Sequence, residues 1–370
     1  MGCDSRQFAS MERYLVRACR VAVARGHSFH VAYDAPPTSE EFVGALESAG
    51  GELLVLGSNR SVPRLMRDLD RTIRRRRIDI LHAYFTPACH YAMAYAWARR
   101  MPGRVRTSAN MPLTIRQATR PLGPIGFARF AVTQRILAAL PRTTLVLSEA
   151  MLHEFALLGV KESSLRVVSG GVDEEYFLPP TNSERAAARA SFRLGDEIAV
   201  VTAARLVPVK CLDTLLEASK KLPGVQFILA GDGPLRANLE ALARTLGITD
   251  RVMFAGQLSD ARDLLAAADI FALPSRSEGL SNSIMEAMAC GLPVVASSIR
   301  ANAEVVTDGE TGLLVPVADV QALTKAIERL ATDVDLRSQY GATGRRRIQD
   351  HFNVGRRVVE EIAVYERLLG

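Results

Sequence analysis

Short apolar runs alternate with longer amphipathic ones along nearly the whole sequence. FHVAY (29–33), ELLVLG (52–57), IDILHAYF (78–85), TTLVLS (143–148) and LRVVSG (165–170) read as strands buried on both faces. The segments between them follow helical spacing. In MERYLVRACRVAVARG, Leu15, Ala18, Cys19 and Ala22 fall along one face, and Gly26 stops the run. Strands separated by helices return in the same direction, so the pattern predicts α/β architecture with parallel sheets covered on both faces. A second series begins near residue 197 with EIAVVTAARL, VQFILAGDG, RVMFAGQ, DIFALPS and LPVVASS. A chain of 370 residues is long enough for two such domains, each with its own core.

The stretch between the two series, GGVDEEYFLPPTNSERAAARASFRLGD, combines Gly-Gly, Pro-Pro and a charged helical piece, and reads as an interdomain linker. The predicted division is residues 1–175, residues 176–352 and a terminal helix over 353–370. In that last segment Val354, Val358, Val359, Ile362, Tyr365 and Leu369 recur at helical spacing, which suits packing back on the first domain. Open α/β sheets bind ligands beyond the carboxyl ends of their strands, so the residues at those ends are the candidates for function.

Composition narrows the field of partners. No window holds the roughly 18 unbroken apolar residues of a membrane-spanning helix, and MGCDSRQFASMERYLVRACR lacks the pattern of a signal peptide. The five cysteines are scattered without a C-x-x-C pair, which favours a reduced, cytoplasmic setting over a disulfide framework or zinc site. A net charge of +6 suits anionic partners. Seven arginines lie between Arg64 and Arg77; they read as a solvated helix face, with peripheral contact to the anionic inner face of a membrane as the sharper alternative. The run lacks the interleaved aromatics of a nucleic-acid surface, so no nucleic-acid partner is expected.

Three clusters carry phosphate-binding chemistry. In SRSEGLSNSIMEAMACGLPVVAS, Asn282 or Ser283 is a candidate cap for a helix over about 284–290, followed by Gly291 and Pro293. Ser283 and Glu286 fit a capping box, which alone would account for Glu286. No such structural demand explains Glu278, which adjoins Gly279, where backbone can approach a ligand closely. The helix start then presents N–H groups and a positive dipole end to an anion. In AARLVPVKCLD, Arg205 lies at the end of a strand and Lys210 opens the next helix, so both cations could point at one anion, with ordinary surface charge as the plain alternative. In LAGDGPL, Gly231 begins a glycine-rich strand-to-helix turn that lacks the full dinucleotide fingerprint.

Taken in order, Arg205–Lys210, GDGP, RVMFAG, the E-x7-E pair Glu278 and Glu286 with AMACGLPVVAS, and DGETGLLVP resemble the donor domain of glycosyltransferase family 4, the retaining enzymes of the GT-B fold. MERYLVRACRVAVARGH, DILHAYF, LVLSEAMLHEFALLGV and GGVDEEYF extend the resemblance over the first half. The resemblance implies two Rossmann-like domains facing a cleft, and a sugar moved from a nucleoside-diphosphate sugar to a glycan, lipid-linked or small acceptor. It implies that Arg205 and Lys210 hold the diphosphate and that Glu278 contacts the transferred sugar. Glu286 would bind the ribose hydroxyls, and the amides of Leu280 and Ser281 the distal phosphate. No cofactor and no metal are expected, since the D-x-D at 68–70 lies within the arginine-rich helical run.

Three positions depart from the family pattern. The opening strand that the family places before its first helix has no counterpart ahead of MERY, so a gap is expected in the first sheet. Asn110 stands where the family often has histidine; an amide can bond a sugar hydroxyl but cannot carry a proton in the same way. Ala204 and Cys211 replace glycines around the Arg/Lys pair. His82 suits either the acceptor side or plain packing at a strand end. Two other readings share the fold: a non-catalytic sugar-nucleotide-binding protein and a sugar-nucleotide epimerase.

Overall fold

A computed structural model describes residues 10–33, 35–56, 62–84, 87–108, 111 and 123–370, with the side chains of 87–89 excepted. The chain forms two compact units. One takes most of the chain up to Asp173 together with Val354–Gly370; the other holds Glu174–Asn353.

The first unit opens with helix α1 (Ser10–Ala24), strand β1 (His30–Tyr33), α2 (Glu40–Ser48) and β2 (Glu52–Val55). It continues through α3 (Val62–Arg76), β3 (Ile80–Tyr84), α4 (Pro87–Ala98) and β4 (Gly103–Ser108) to β5 (Thr143–Val146) and β6 (Leu165–Val167). All pairings are parallel, but the strands fall into two sheets, β1-β2 and β3-β4-β5-β6. Among the described residues no strand joins β1 to β3. Side chains of α1 and α2 close over β1: Val16, Cys19, Phe42 and Leu46 are buried with Val31. The C-terminal helix Val354–Leu369 belongs to this unit, burying Val358 and Ile362 against Tyr14 and Ala18 of α1. Val359 and Leu369, counted on its apolar face, are 44% and 47% exposed instead.

The second unit is a single six-stranded parallel sheet built from β7 (Ile198–Ala203), β8 (Val225–Ala230), β9 (Val252–Gly256), β10 (Ile270–Leu273), β11 (Val294–Ser297) and β12 (Gly312–Val315). Its order is β12-β11-β10-β7-β8-β9, so chain direction across the sheet reverses between β7 and β10. Phe227, Leu229, Ile270 and Val295 of the sheet meet Leu216 and Ile327 of the covering helices in one core. Each such side chain contributes about 1.5–3 kcal/mol by leaving water.

The supposed linker is mostly part of this unit. Residues Asn182–Ser191 form a helix whose Thr181 and Glu184 make a reciprocal capping box. Arg185 and Arg189 both pair with Asp269, at 2.7 and 3.2 Å, and tie that helix to the start of β10. The composition of the stretch resembled a linker because its packing face is arginine rather than aliphatic.

Candidate active site

The reversal point between β7 and β10 is where adjacent crossovers leave on opposite sides of the sheet and open a crevice at the strand ends. Two loops of the second unit start there. The first leaves β7 and carries Arg205 and Lys210; the second leaves β10 and carries Glu278, Gly279, Leu280 and Ser281. They are joined twice. The Arg276 N–H donates to the Val209 carbonyl at 2.8 Å, and Lys210 Nζ donates to Glu278 Oε1 at 2.6 Å. The side chains of Lys210 and Glu278 are only 16% and 10% exposed, so this pair is shielded from solvent screening. Arg205 is exposed beside it in sequence, its loop fixed by Ala204 N–H to the Ala230 carbonyl and Leu206 N–H to the Asp232 carbonyl.

Gly231 of the GDGP turn has a structural reason to be glycine. Its φ is +129°, and an added Cβ would lie 1.9 Å from the Ala204 carbonyl oxygen. The turn therefore seats the backbone just before Arg205, whatever it does to a ligand. Cys211, at the glycine-like position after Lys210, adopts φ +48° in the left-handed region, so the backbone geometry is kept without the glycine.

The helix after the second loop runs Asn282–Ala289 and is capped by Ser281, whose Oγ accepts from the Ile284 N–H at 3.4 Å. This corrects the cap from Asn282 or Ser283 to Ser281. The backbone leaves the extended region at Ser281 (φ −82°, ψ 103°), so helix geometry starts two residues earlier than expected. The Ser283–Glu286 capping box is accordingly absent, and Glu286 sits in the second turn, half-buried. The early amides of this helix, like those of any helix start, have no partner within it.

A brace that the sequence did not reveal lies beneath the second loop. Asn302, fully buried, donates to the Ser297 carbonyl at 2.9 Å, and the Ser297 hydroxyl donates to the Ser275 carbonyl. Serine and asparagine at these spacings carry no signal by themselves; only the adjacency of β10 and β11 brings them together. The buried thiols of Cys211 and Cys290 are pushed up by burial, that of Cys290 to about 12, which keeps them protonated and inert.

Other candidates fall elsewhere. Asn110 lies outside the described residues. His82 is packed in the first unit, with Nε2 2.7 Å from Thr107 Oγ1 and Nδ1 against the Tyr365 hydroxyl and 3.2 Å from Glu361 Oε1. Burial pushes the Glu361 carboxyl up, but the charge and hydrogen bond of His82, with Arg357, hold it well below the usual carboxylate range. Asp68 and Asp70 of the D-x-D lie in α3, paired with Arg71 and with Arg74 and Arg99.

Sequence comparison shows which family the chain belongs to. Residues 145–347 match the family model "Glycosyl transferases group 1", and residues 11–176 match "Glycosyltransferase Family 4". The chain belongs to the glycosyl transferases group 1 family. Over 158 residues it is 39% identical to the lipopolysaccharide core biosynthesis glycosyltransferase LpsE of Rhizobium meliloti, covering 43% of this chain and 46% of the relative. Over 197 residues it is 36% identical to the GDP-mannose-dependent alpha-(1-6)-phosphatidylinositol monomannoside mannosyltransferase of Mycolicibacterium smegmatis, covering 50% and 51%. The matches thus span about half the length of these curated relatives. The fold is that of GT-B glycosyltransferases. Anabaena Alr3699/HepE, solved with UDP and glucose, superposes with TM-score 0.78 at 21% identity over 97% of both chains. The sucrose-phosphate synthase of Thermosynechococcus elongatus superposes with TM-score 0.81 at 21% identity, over 98% and 94%.

Proposed function

We propose that this protein is a glycosyltransferase that moves a sugar from a nucleoside-diphosphate sugar to a glycan or lipid-linked acceptor, with retention of configuration and without a metal. The observation that carries the reading is the joining of the Arg205–Lys210 loop to the Glu278–Ser281 loop at the sheet's reversal point, through Lys210 and Glu278 at 2.6 Å. Related proteins act on or were solved with nucleotide sugars, which supports the donor class. In the reaction the acceptor oxygen attacks the anomeric carbon as its bond to the diphosphate oxygen breaks. The acceptor proton passes to a phosphate oxygen, and the bonding pair leaves on the diphosphate.

Negative charge grows on that leaving group. Arg205 and Lys210 supply fixed cations there, and the amides of Leu280 and Ser281 with the start of the helix Asn282–Ala289 supply dipoles; such groups count most when charge develops in the transition state. Glu278 orients the sugar, with Lys210 shared between it and the phosphate. Glu286 takes the ribose hydroxyls, Gly231 lets the donor approach the backbone, and Asn110 bonds the sugar from the acceptor side. The setting is cytoplasmic. No helix among the described residues is long and apolar enough to cross a membrane. Peripheral contact with anionic lipid is supported by the first unit's helix Pro124–Ala139, which exposes Ile125, Val132 and Ile136 near Arg129.

The test is release of nucleoside diphosphate from a panel of donor sugars, with and without acceptors, in the presence of chelator. Arg205→Ala is expected to lower kcat by about 10²–10³-fold, the usual effect of deleting one transition-state charge contact. Glu286→Ala is expected to raise the donor KM with a smaller change in kcat. Unchanged kinetics in both variants, or strict dependence on a divalent metal, would overturn the assignment.

A further inference from the structure

In the second unit β10 lies between β7 and β11. Its ladder with β11 ends at Leu273, and Pro274, which has no N–H, carries the chain into the loop. The next two residues are tied to opposite neighbours. The Ser275 carbonyl accepts from the Ser297 hydroxyl at the end of β11, and the Arg276 N–H donates to the Val209 carbonyl of the loop after β7. Ser275 and Arg276 therefore form a fixed pivot. Glu278 stands two residues beyond Arg276, at most about 7 Å along the chain. The far end of the loop is held differently. Leu280, Ile284 and Met285 are buried, so the amides of Leu280 and Ser281 are seated by the helix Asn282–Ala289.

Asn302, in the short helix Arg300–Val305, decides how the pivot is held. Its Nδ2 donates to the Ser297 carbonyl at 2.9 Å and to the Ser297 hydroxyl oxygen at 3.2 Å. A hydroxyl has one proton; with its oxygen accepting from Asn302, that proton is turned to the Ser275 carbonyl. The opposite amide orientation would set an oxygen against the Ser297 carbonyl, which fixes the atom that faces it. That carbonyl also accepts from the Ile299 N–H at 2.8 Å, so it is satisfied even without the Asn302 side chain. Ser275, Ser297 and Asn302 are all 0% exposed. Among the described residues Asn302 Oδ1 has no hydrogen-bond partner, a cost that an apolar side chain of similar size would avoid. Packing alone does not account for an amide at this position.

We propose that Asn302 and Ser297 are positioning residues for the transferred sugar: they hold the Ser275 carbonyl, and with it the near end of the loop, so that Glu278 meets the sugar in one place. Both act through Glu278. The inference rests on the glycosyltransferase reading of the site. It divides one loop into two parts. Loosening the pivot displaces Glu278, whereas the phosphate-binding amides of Leu280 and Ser281 stay with their helix. A misplacement of about 1 Å near a reacting centre is enough to cost up to about 10²-fold in rate.

The experiment uses Ser297→Ala, which removes the hydroxyl, and Asn302→Leu, which keeps the volume and removes the donor. Each is expected to lower kcat by about tenfold or more while nucleoside-diphosphate affinity, measured by calorimetry, stays within about threefold. In a Glu278→Gln background Ser297→Ala is expected to lower the residual kcat no further, because both changes act on the same group. Amide hydrogen exchange supplies a readout that needs no turnover. The Arg276 N–H is expected to exchange at least about tenfold faster in both variants, and the Ile284 N–H, bonded to Ser281 Oγ, at the wild-type rate. A general loss of stability would speed both. Unchanged kcat, diphosphate affinity falling in step with kcat, an undiminished further loss in the Glu278→Gln background, or equal exchange changes at the two amides would each overturn the positioning role. A wild-type chain that moves no sugar from any donor overturns the proposed activity instead; the exchange at Arg276 and Ile284 then decides whether the brace holds the pivot.

Discussion

On the proposed chemistry, one contact, between Lys210 and Glu278, bears on both stability and activity. Both side chains are largely withdrawn from water, so deleting one leaves the other charged and without its partner. Lys210→Ala is expected to destabilise the second unit by about 2 kcal/mol as well as to reduce turnover. Lys210→Ala with Glu278→Gln should recover most of the stability but none of the activity; equal loss of midpoint in the single and double variants would contradict the coupling. Both residues stood out in the sequence, Glu278 because no structural demand explains it beside Gly279 and Lys210 because it opens a helix after a strand; their meeting at 2.6 Å is a finding of the structure. The cap was not legible. Ser281, Asn282 and Ser283 are all good capping residues, and the choice among them was made by backbone torsions that no side chain announces. Asn302 was illegible for a different reason, since its partner carbonyl is supplied by the end of β11. Asn302→Ala is expected to cost about 1–2 kcal/mol by removing the buried side-chain hydrogen bonds that brace the end of β11.

Among the elements, the GDGP turn and the C-terminal helix make the sharpest predictions. At Gly231 any side chain meets the Ala204 carbonyl, and the backbone lies where L-residues are strained. Gly231→Ala is expected to cost about 1–3 kcal/mol and to weaken nucleoside-diphosphate binding, measured by calorimetry, because it displaces the loop that carries Arg205. The C-terminal helix was readable as amphipathic, but its buried carboxylate was not. Glu361 finds His82 on β3, 279 positions away in sequence, a meeting decided by tertiary packing. Because its folded pKa lies below the unfolded value, Glu361 adds stability that is fully present above the ordinary carboxylate range and is lost as pH falls through its lowered pKa. Glu361→Gln should therefore flatten the acid limb of a stability–pH curve in the first unit while lowering stability at neutral pH by about 3 kcal/mol. The arginine run of α3 folds as a solvated face, with Leu65 and Leu69 alone buried on the helix among its described residues, as the composition suggested.

For the whole molecule, the alternating runs were enough to predict parallel α/β architecture, because only helical crossovers return successive strands in one direction. They did not reveal that the chain between the series folds onto the second unit, since arginine stems pack there in place of aliphatic side chains. The division of the first unit into two sheets has an energetic side. The space between the two sheets is open to solvent, so its apolar lining gains less by leaving water than the continuous core of the second unit, and the first unit is expected to be the less stable of the two. Denaturation followed by exchange is expected to show the strands β1 and β3 opening before β7 and β10. The proposed membrane contact is likewise a matter of the molecule's surface. Val132→Glu with Ile136→Glu should reduce sedimentation with vesicles containing phosphatidylglycerol while leaving nucleoside-diphosphate binding intact.

The bond between Lys210 and Glu278 also bears on the end of a catalytic cycle. A spent diphosphate holds Lys210 only while it outcompetes a carboxylate that never leaves the neighbourhood. On the proposed chemistry, Glu278 is an internal rival for the cation, and its return helps to expel the product that the same cation helped to form.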